Sequence, residues 1–540
     1  MGLFIGLDIG TTSTEVFLYE RQGKIRGRGK AACPLLVPEP GRAEQRPDEM
    51  IAAVLQALRL AMISGGAKPD DIEAVGVSAS MHNVMAVDKD GKPMTPLLTW
   101  ADNRSAPQIE ELRRSGAAKE LYELTGTPVH PMSPLGKLLW WKENKPGLFE
   151  QAYKFISIKE YLLHQLFGIY ALDVSSAAAT GMLDVSGRGW CGKALELIGI
   201  GKERLGEIVP VAEVLRGMKP EIAEACGLLP HTPWVVGASD GALANIGSGA
   251  AALGSTAVTI GATGAVRQFA DKPLIDPEGR TFCYAFSADR WLIGSSTSSG
   301  GIALNWFKEQ FMGGSLPGAE RRDAIRAHPE RRQRRGRQHA VIDSARPGGH
   351  IGSGQGSFDD IIAAAMSVPA GADGLLFLPY LSGERAPCWN PDARGVFAGA
   401  GLHHGRQHFA RAVLEGGLFA VKSVTETLGE LAGRPDRLLA SGDFASSAIW
   451  TGLLADMTGL RIDVPDRCEA SAYGAAMLAM LATGELGSLD QADERIKIVR
   501  SHAPNEGNRA VYEKLYPLFK DIYRRLEPVF PVLSSMQGRV

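Results

Sequence analysis

Leu3-Phe4-Ile5-Gly6-Leu7-Asp8-Ile9-Gly10-Thr11-Thr12-Ser13 is an apolar run that ends in an acid, a glycine and three hydroxyls. The run from Leu3 to Ile9 reads as a buried strand. Gly10 permits a tight turn and a close backbone approach. Thr11, Thr12 and Ser13 add hydroxyls and backbone N–H donors. Donors at a tight turn, next to a carboxylate suited to a hydrated Mg²⁺, match the chemistry of a nucleotide phosphate tail. The alternative is an ordinary hairpin turn after a core strand.

The rest of the chain narrows the class. It has 540 residues, enough for two or more domains, with 45% hydrophobic and 22% charged residues. A net charge of −2 gives no reason to expect nucleic acid or an anionic membrane as partner. Six scattered cysteines, with no CxxC pair, argue against a zinc site or a disulfide framework and suit the cytoplasm. No secretory leader pattern and no run of 18 apolar residues is present.

Strand and helix signals alternate. Glu15–Tyr19 and Lys24–Lys30 flank a turn at Arg21-Gln22-Gly23, and Asp48–Ser64 carries a helical stripe. Ile72–Ser78 reads as a strand running into Ser80-Met81-His82. A second series begins near Trp234: one strand leads to Ala238-Ser239-Asp240-Gly241, and the next, Ala257–Ile260, leads to Gly261-Ala262-Thr263-Gly264. The repeat of strand and small-residue loop predicts two similar halves around a cleft. It divides the chain into 1–248, 249–490 and a helical tail, 491–540. Arg321 to Arg346 holds nine arginines and few apolar residues, so 313–357 is expected to be a mobile insertion. An arginine patch for an acidic partner is the alternative there.

Asp240 is the sharpest single candidate. A carboxylate at a strand end, in a loop thinned by small residues, can take a proton from a substrate hydroxyl. The competing reading is a helix N-cap. Gly261–Gly264 is a second phosphate cradle, and Gly300-Gly301 followed by Asn305 offers close approach to a nucleotide.

The chain resembles the FGGY carbohydrate kinases, and among them the gluconokinases. Gly395-Val396-Phe397-Ala398-Gly399 followed by His408-Phe409-Ala410-Arg411-Ala412-Val413-Leu414-Glu415 is similar to the family's C-terminal signature. Ser80-Met81-His82, Thr99–Arg104, Gly126–Pro131, Val236–Gly241 and Pro379–Pro387 are similar to gluconokinase pieces. The resemblance implies an α/β protein of two ribonuclease-H-like, actin-like ATPase domains, with ATP and a sugar acid in the cleft. It implies Asp8 and Asp240 near Mg²⁺, and Gly10, Thr11 and Thr12 near the phosphates. Asp240 is the implied base. Gly261, Thr263, Gly264, Gly301, Asn305, Gly442, Asp443 and Ser447 are implied on the nucleotide side, and Met81, His82, Trp100, Asp102 and Arg104 on the sugar side. A sugar acid also asks for a cation: Arg104 first, then Lys159 and Arg385. A homodimer is compatible with the resemblance.

Four positions depart from the family on the nucleotide side: Glu15 in place of Lys, Ala262 in place of a hydroxyl, Asp443 in place of Gly, and Gly452 in place of Gln. Each lost bond to a charged group costs on the order of 1.5–3 kcal/mol. The leading expectation is phosphorylation of the terminal hydroxyl of D-gluconate. The alternatives are a xylulose-type ketopentose kinase, disfavoured by Gly241 where those kinases usually carry Asn, and a non-catalytic sugar-acid binder with a degraded ATP site.

Overall fold

Two runs of strands, one in each half of the chain, fold to the same plan. The computed structural model describes residues 2–312, 358–467 and 469–537. The segment expected as an insertion, 313–357, lies outside the described residues.

The first sheet contains β1 (Leu3–Ile9), β2 (Ser13–Glu20), β3 (Ile25–Ala32), β4 (Ile72–Ala79), β5 (Val214–Leu215) and β6 (Trp234–Ser239), in the order β5-β6-β4-β1-β2-β3. β1, β2 and β3 are joined as antiparallel hairpins, and β4 and β6 return parallel. The second sheet contains β7 (Thr256–Ile260), β8 (Gly264–Ala270), β9 (Phe282–Ala285), β10 (Trp291–Thr297), β11 (Arg437–Ser441), β12 (Arg461–Pro465) and β13 (Ile498–His502). Its order is β9-β10-β8-β7-β11-β12-β13. β7 pairs antiparallel with β8 and parallel with β11, and β12 is parallel to β11.

The strands β3-β2-β1-β4-β6 and β10-β8-β7-β11-β12 therefore repeat one antiparallel-then-parallel arrangement. This is the ribonuclease-H-like topology twice over, as the α/β reading expected. The two glycine hairpins, β1–β2 and β7–β8, occupy equivalent places in the two copies. The segment read as a helical tail begins differently: β13 adds an edge strand antiparallel to β12 before the helix Glu506–Leu526. Its residues are largely exposed and polar, so no apolar alternation announces it.

The principal helices are α1 (Pro47–Gly65), α2 (Asp240–Gly247), α3 (Gly301–Phe307), α4 (Arg406–Ala432), α5 (Ala448–Thr458) and α6 (Ala470–Ala482). α1 covers β2 and β3, and α6 packs against β1, β4 and α2. Small residues make that last approach close. A Cβ on Gly6 would stand 1.9 Å from the carbonyl oxygen of Ala472, and one on Gly76 1.9 Å from that of Ala475. Gly76→Ala must therefore push the helix off the sheet. We expect a loss of at least about 1–3 kcal/mol, read by denaturant unfolding.

In α4 the signature pair Arg411 and Glu415 is buried, with Arg411 Nε donating to Glu415 Oε1 at 2.6 Å and Tyr512 Oη donating to it at 2.8 Å. Those signature residues hold the helix in place.

Candidate active site

Parallel pairing brings the C-terminal ends of β1, β4 and β6 to one edge, where α/β sheets present their ligand-binding residues. Asp8 lies near the end of β1 opposite Ser78 of β4. Ser78 Oγ donates to Asp8 Oδ1 at 2.7 Å. Even so, burial pushes the Asp8 carboxyl up to about 7, with the charges of Asp240 and Glu15 acting the same way.

Asp240 begins α2 directly after β6. The preceding Ser239 makes no helix cap; its hydroxyl pairs with that of Ser175 at 2.7 Å. Asp240 Oδ1 instead accepts the Gly241 N–H at 2.8 Å. The N-cap reading is not met: the helix starts at Asp240 itself, with Ser239 in the cap position. Burial raises the Asp240 carboxyl above its ordinary range, opposed chiefly by the positive charge of Arg267.

The first hairpin is braced from both sides. Gly10 N–H donates to Ser13 O at 3.1 Å. Gln45 Nε2 donates to Thr11 O at 2.9 Å, and Trp100 Nε1 donates to Thr11 Oγ1 at 3.0 Å. Thr12 is exposed at the tip. Glu15, the unfavourable charge next to it, faces Lys30 across β2–β3, and Lys30 Nζ donates to its Oε1 at 2.5 Å. The neighbouring strand thus neutralises the charge of Glu15.

The second hairpin joins the other glycine loops. Gly261 N–H donates to Thr263 O at 2.9 Å, and Gly301 N–H donates to Gly261 O at 2.8 Å. A Cβ on Gly300 would stand 2.7 Å from the carbonyl carbon of Thr263, and one on Gly264 3.0 Å from Thr297. Gly442 adopts φ 87° with no room for a side chain, its Cβ position being 2.7 Å from Ile260 O. Gly261, Thr263, Gly264, Gly301 and Gly442 therefore meet in one place. Asn305 and Asp443 stay exposed beside them. Ser447 caps α5, accepting the Trp450 N–H at 3.4 Å.

On the other side of Asp240, Met81 Cε lies 2.8 Å from where a Gly241 side chain would begin. His82 sits in the left-handed region at φ 63°, a costly conformation for a histidine. Its Nδ1 is 2.7 Å from Ala179 O. A carbonyl can only accept, so Nδ1 carries the proton. Burial, and then Lys137, lower the ring's pKa to about 3. The neutral ring leaves Nε2 as an acceptor, fit for a hydroxyl. Trp100 is 37% exposed, which suits a pocket wall rather than a core residue.

Two expected sugar-side residues turn inward. Asp102 is fully buried and accepts from Ala43 N–H and the Arg104 guanidinium, each at 2.8 Å. Arg104 also pairs with Glu44 and stacks over Trp140. Its charge is spent on two acids, so the pair braces the 99–104 loop instead of presenting itself to a ligand. Lys159 is likewise taken, donating to Asp173 at 2.6 Å and Ala238 O at 2.8 Å.

Lys137 and Arg267 complete the site without having been read from the sequence. Lys137 is fully buried, and its ammonium donates to the carbonyls of His82, Thr99 and Met132 at 2.7, 2.6 and 2.8 Å. It ties together three loops, two of which carry the expected sugar-side residues. Burial pulls its pKa down to about 7. A lone lysine inside the apolar helical run Leu135–Trp141 is the signal that could have found it. Arg267 lies on β8 three residues after Gly264, on the same strand face as Ala265. An arginine alternating with core residues in a strand was its signal.

Comparison with known proteins agrees with this fold. The pattern of the FGGY family of carbohydrate kinases, N-terminal domain, matches residues 3–247, and that of the C-terminal domain matches residues 256–483. The chain is 37% identical over 534 residues to a protein of Bacillus subtilis (strain 168) named gluconokinase, covering 99% of this chain and 98% of that one. It is similar in structure to a gluconate kinase from Lactobacillus acidophilus, with a TM-score of 0.87 and 31% identity over 98% of this chain and 99% of that one. A ligand-bound xylulose kinase from Lactobacillus acidophilus aligns with a TM-score of 0.87 and 30% identity, over 99% of this chain and 100% of that one. Repeated topology, paired hairpins and these matches over nearly the whole length lead to one conclusion: the chain belongs to the FGGY family of carbohydrate kinases.

Proposed function

We propose that this kinase transfers the γ-phosphoryl group of ATP to the terminal hydroxyl of D-gluconate, giving 6-phosphogluconate and ADP. The observation that carries the reading is Asp240, a desolvated carboxylate beside Asp8 and at the start of a helix, on the strand edge that also presents the first glycine hairpin. The choice of gluconate draws on the gluconokinase relative at 37% identity.

Asp240 accepts the proton of the terminal hydroxyl as that oxygen bonds to the γ-phosphorus and the bond from phosphorus to the ADP oxygen breaks. Most of the work in such a transfer is positioning and charge stabilisation. The two hairpins supply backbone N–H groups for the phosphates, and neutral His82 supplies an acceptor for a sugar hydroxyl. The positive charge of Arg267 opposes the rise that burial imposes on the Asp240 carboxyl. The donor set fits a magnesium ion. Two neighbouring carboxylates resist ionisation, and no cluster of three metal-ligating side chains occurs among the described residues. Mg²⁺ shared with phosphates and water needs only one or two carboxylates. Asp8 and Asp240 would hold it, and it would neutralise phosphate charge.

No helix among the described residues is long and apolar enough to cross a membrane. Cys33, Cys191, Cys226, Cys283 and Cys388 are unpaired, which suits the reducing cytoplasm, where ATP is available. A coupled assay of ADP release over gluconate, xylulose and glycerol tests the reading. We expect kcat/KM for gluconate to exceed that for xylulose by at least about 100-fold. Equal rates, or a preference for xylulose, would overturn it.

A further inference from the structure

Asp240 follows a strand that does not run straight. Along β6 the pairing with β4 slips between Val235 and Ala238, so Val236 and Gly237 face the single residue Val77. Gly237 takes φ 79°, and a Cβ there would stand 1.7 Å from Val77 O. This is a β-bulge, a device that re-aims the side chains beyond it. Ala238, Ser239 and Asp240 are the residues beyond it.

The end of the bulged strand is held by side chains from outside the sheet. Lys159, in the helix Ile158–Phe167, donates from Nζ to Ala238 O at 2.8 Å and to Asp173 Oδ2 at 2.6 Å. Both side chains of that ion pair are fully buried. Asp173 is fixed in turn: its Oδ1 accepts the Ser176 N–H at 2.8 Å and caps the short helix Val174–Ala178. The same helix sends Ser175 to the next residue of the strand. Ser175 Oγ accepts the Ser239 N–H at 3.3 Å and lies 2.7 Å from Ser239 Oγ. Residues 238 and 239 are thus tied down, one by a buried ion pair and one by a buried hydroxyl, directly before the residue read as the base.

A buried ion pair is a poor device for stability alone. The desolvation of both charges commonly offsets their attraction, and an apolar pair of like size often serves the fold as well. What an apolar pair cannot do is donate to a carbonyl in a fixed direction. Ala238 is fully buried, and a buried carbonyl needs such a donor. The chemistry two residues on needs a fixed direction too, since a displacement of about 1 Å can cost about 100-fold in rate.

We propose that Lys159, Asp173 and Ser175 form a brace that sets the Asp240 carboxylate against the reacting hydroxyl, with Lys159 a positioning residue for the transfer and not a partner of the sugar's carboxylate. This rests on Asp240 being the base in the kinase reading above.

The test measures kcat, the KM for gluconate and for ATP, the Kd of gluconate by calorimetry, and the midpoint of thermal unfolding. It uses wild type, Lys159→Met and the double variant Lys159→Met/Asp173→Asn. Lys159→Met leaves Asp173 buried without its partner, so the midpoint should fall and kcat should drop by at least about 30-fold. The double variant buries no lone charge and keeps an oxygen for the Ser176 N–H. Its midpoint should return toward that of wild type while kcat stays down by at least about 10-fold, with both KM values and the Kd within about 3-fold. Recovery of kcat together with the midpoint would show a brace for the fold alone and overturn the proposal, as would a loss carried by the KM for gluconate. If neither variant folds, Ser175→Ala decides: a fall in kcat of about 5-fold at constant KM supports the brace, and a kcat within about 2-fold of wild type overturns it. A folded wild type inactive on gluconate overturns the kinase reading instead, and Asp240→Asn at full rate overturns the base; in either case the brace falls with it.

Discussion

Asp240→Asn should lower kcat with gluconate by roughly 10²–10⁴-fold while leaving the Kd for gluconate within a few-fold. Asparagine keeps the size of the side chain and can still accept the Gly241 N–H. What it loses is the capacity to hold the hydroxyl proton. Steady-state kinetics with calorimetry separates the two effects: a base gives a fall in kcat, and a mere positioning contact gives a rise in KM. Retention of the wild-type rate would remove Asp240 from the mechanism.

The wild-type pH profile should agree. Burial raises the Asp240 carboxyl above its ordinary value, so its ionised form is lost at a higher pH than for a free aspartate. The acid limb of kcat/KM should be set by the coupled pair Asp8 and Asp240.

Asp8→Asn should do two opposite things. It should reduce turnover at saturating gluconate by about 10²-fold or more, through loss of a carboxylate fitted to the metal–phosphate corner. It should also stabilise the unligated protein at pH 8. The Asp8 carboxyl is raised from 3.8 to about 7 by burial in the fold, so the folded state binds its proton more tightly than the unfolded chain does. The stability tied to that proton is complete below pH 4 and is lost as pH rises through about 7. Asparagine carries no such penalty, and a gain on the order of 1–3 kcal/mol is expected at pH 8, shrinking toward zero at pH 4. Thermal unfolding at the two pH values reads it. An equal effect at both would show that Asp8 is already paired in the folded state. Sites arranged for function commonly store this kind of instability.

Much of this was legible in the residues, for identifiable reasons. Buried strands that end in glycine hairpins declare themselves by composition, so Leu3–Ile9 with Gly10 and Ala257–Ile260 with Gly261 were both placed. The helix Ala470–Ala482 is built of small residues, and Gly6 and Gly76 show what it packs on.

What stayed hidden depends on partners distant in sequence. Arg104 read as a free cation because Glu44, 60 positions earlier, could not be known to reach it. Glu15 read as a defect because its remedy, Lys30, lies across a hairpin whose register includes an irregularity between Leu18 and Tyr19. Lys137 was overlooked because the three carbonyls it gathers come from three separate loops. Motif residues find a site, and the pairing of its charges is a property of the folded chain.

The central claim is transfer to a terminal hydroxyl, and proton-coupled ³¹P NMR of a reaction of wild-type protein with ATP, Mg²⁺ and gluconate reads it directly. The account predicts a new phosphomonoester resonance split into a triplet by the two protons of a primary carbon, growing as the γ-phosphate of ATP declines. A doublet from a secondary position, or loss of γ-phosphate to inorganic phosphate alone, would contradict it.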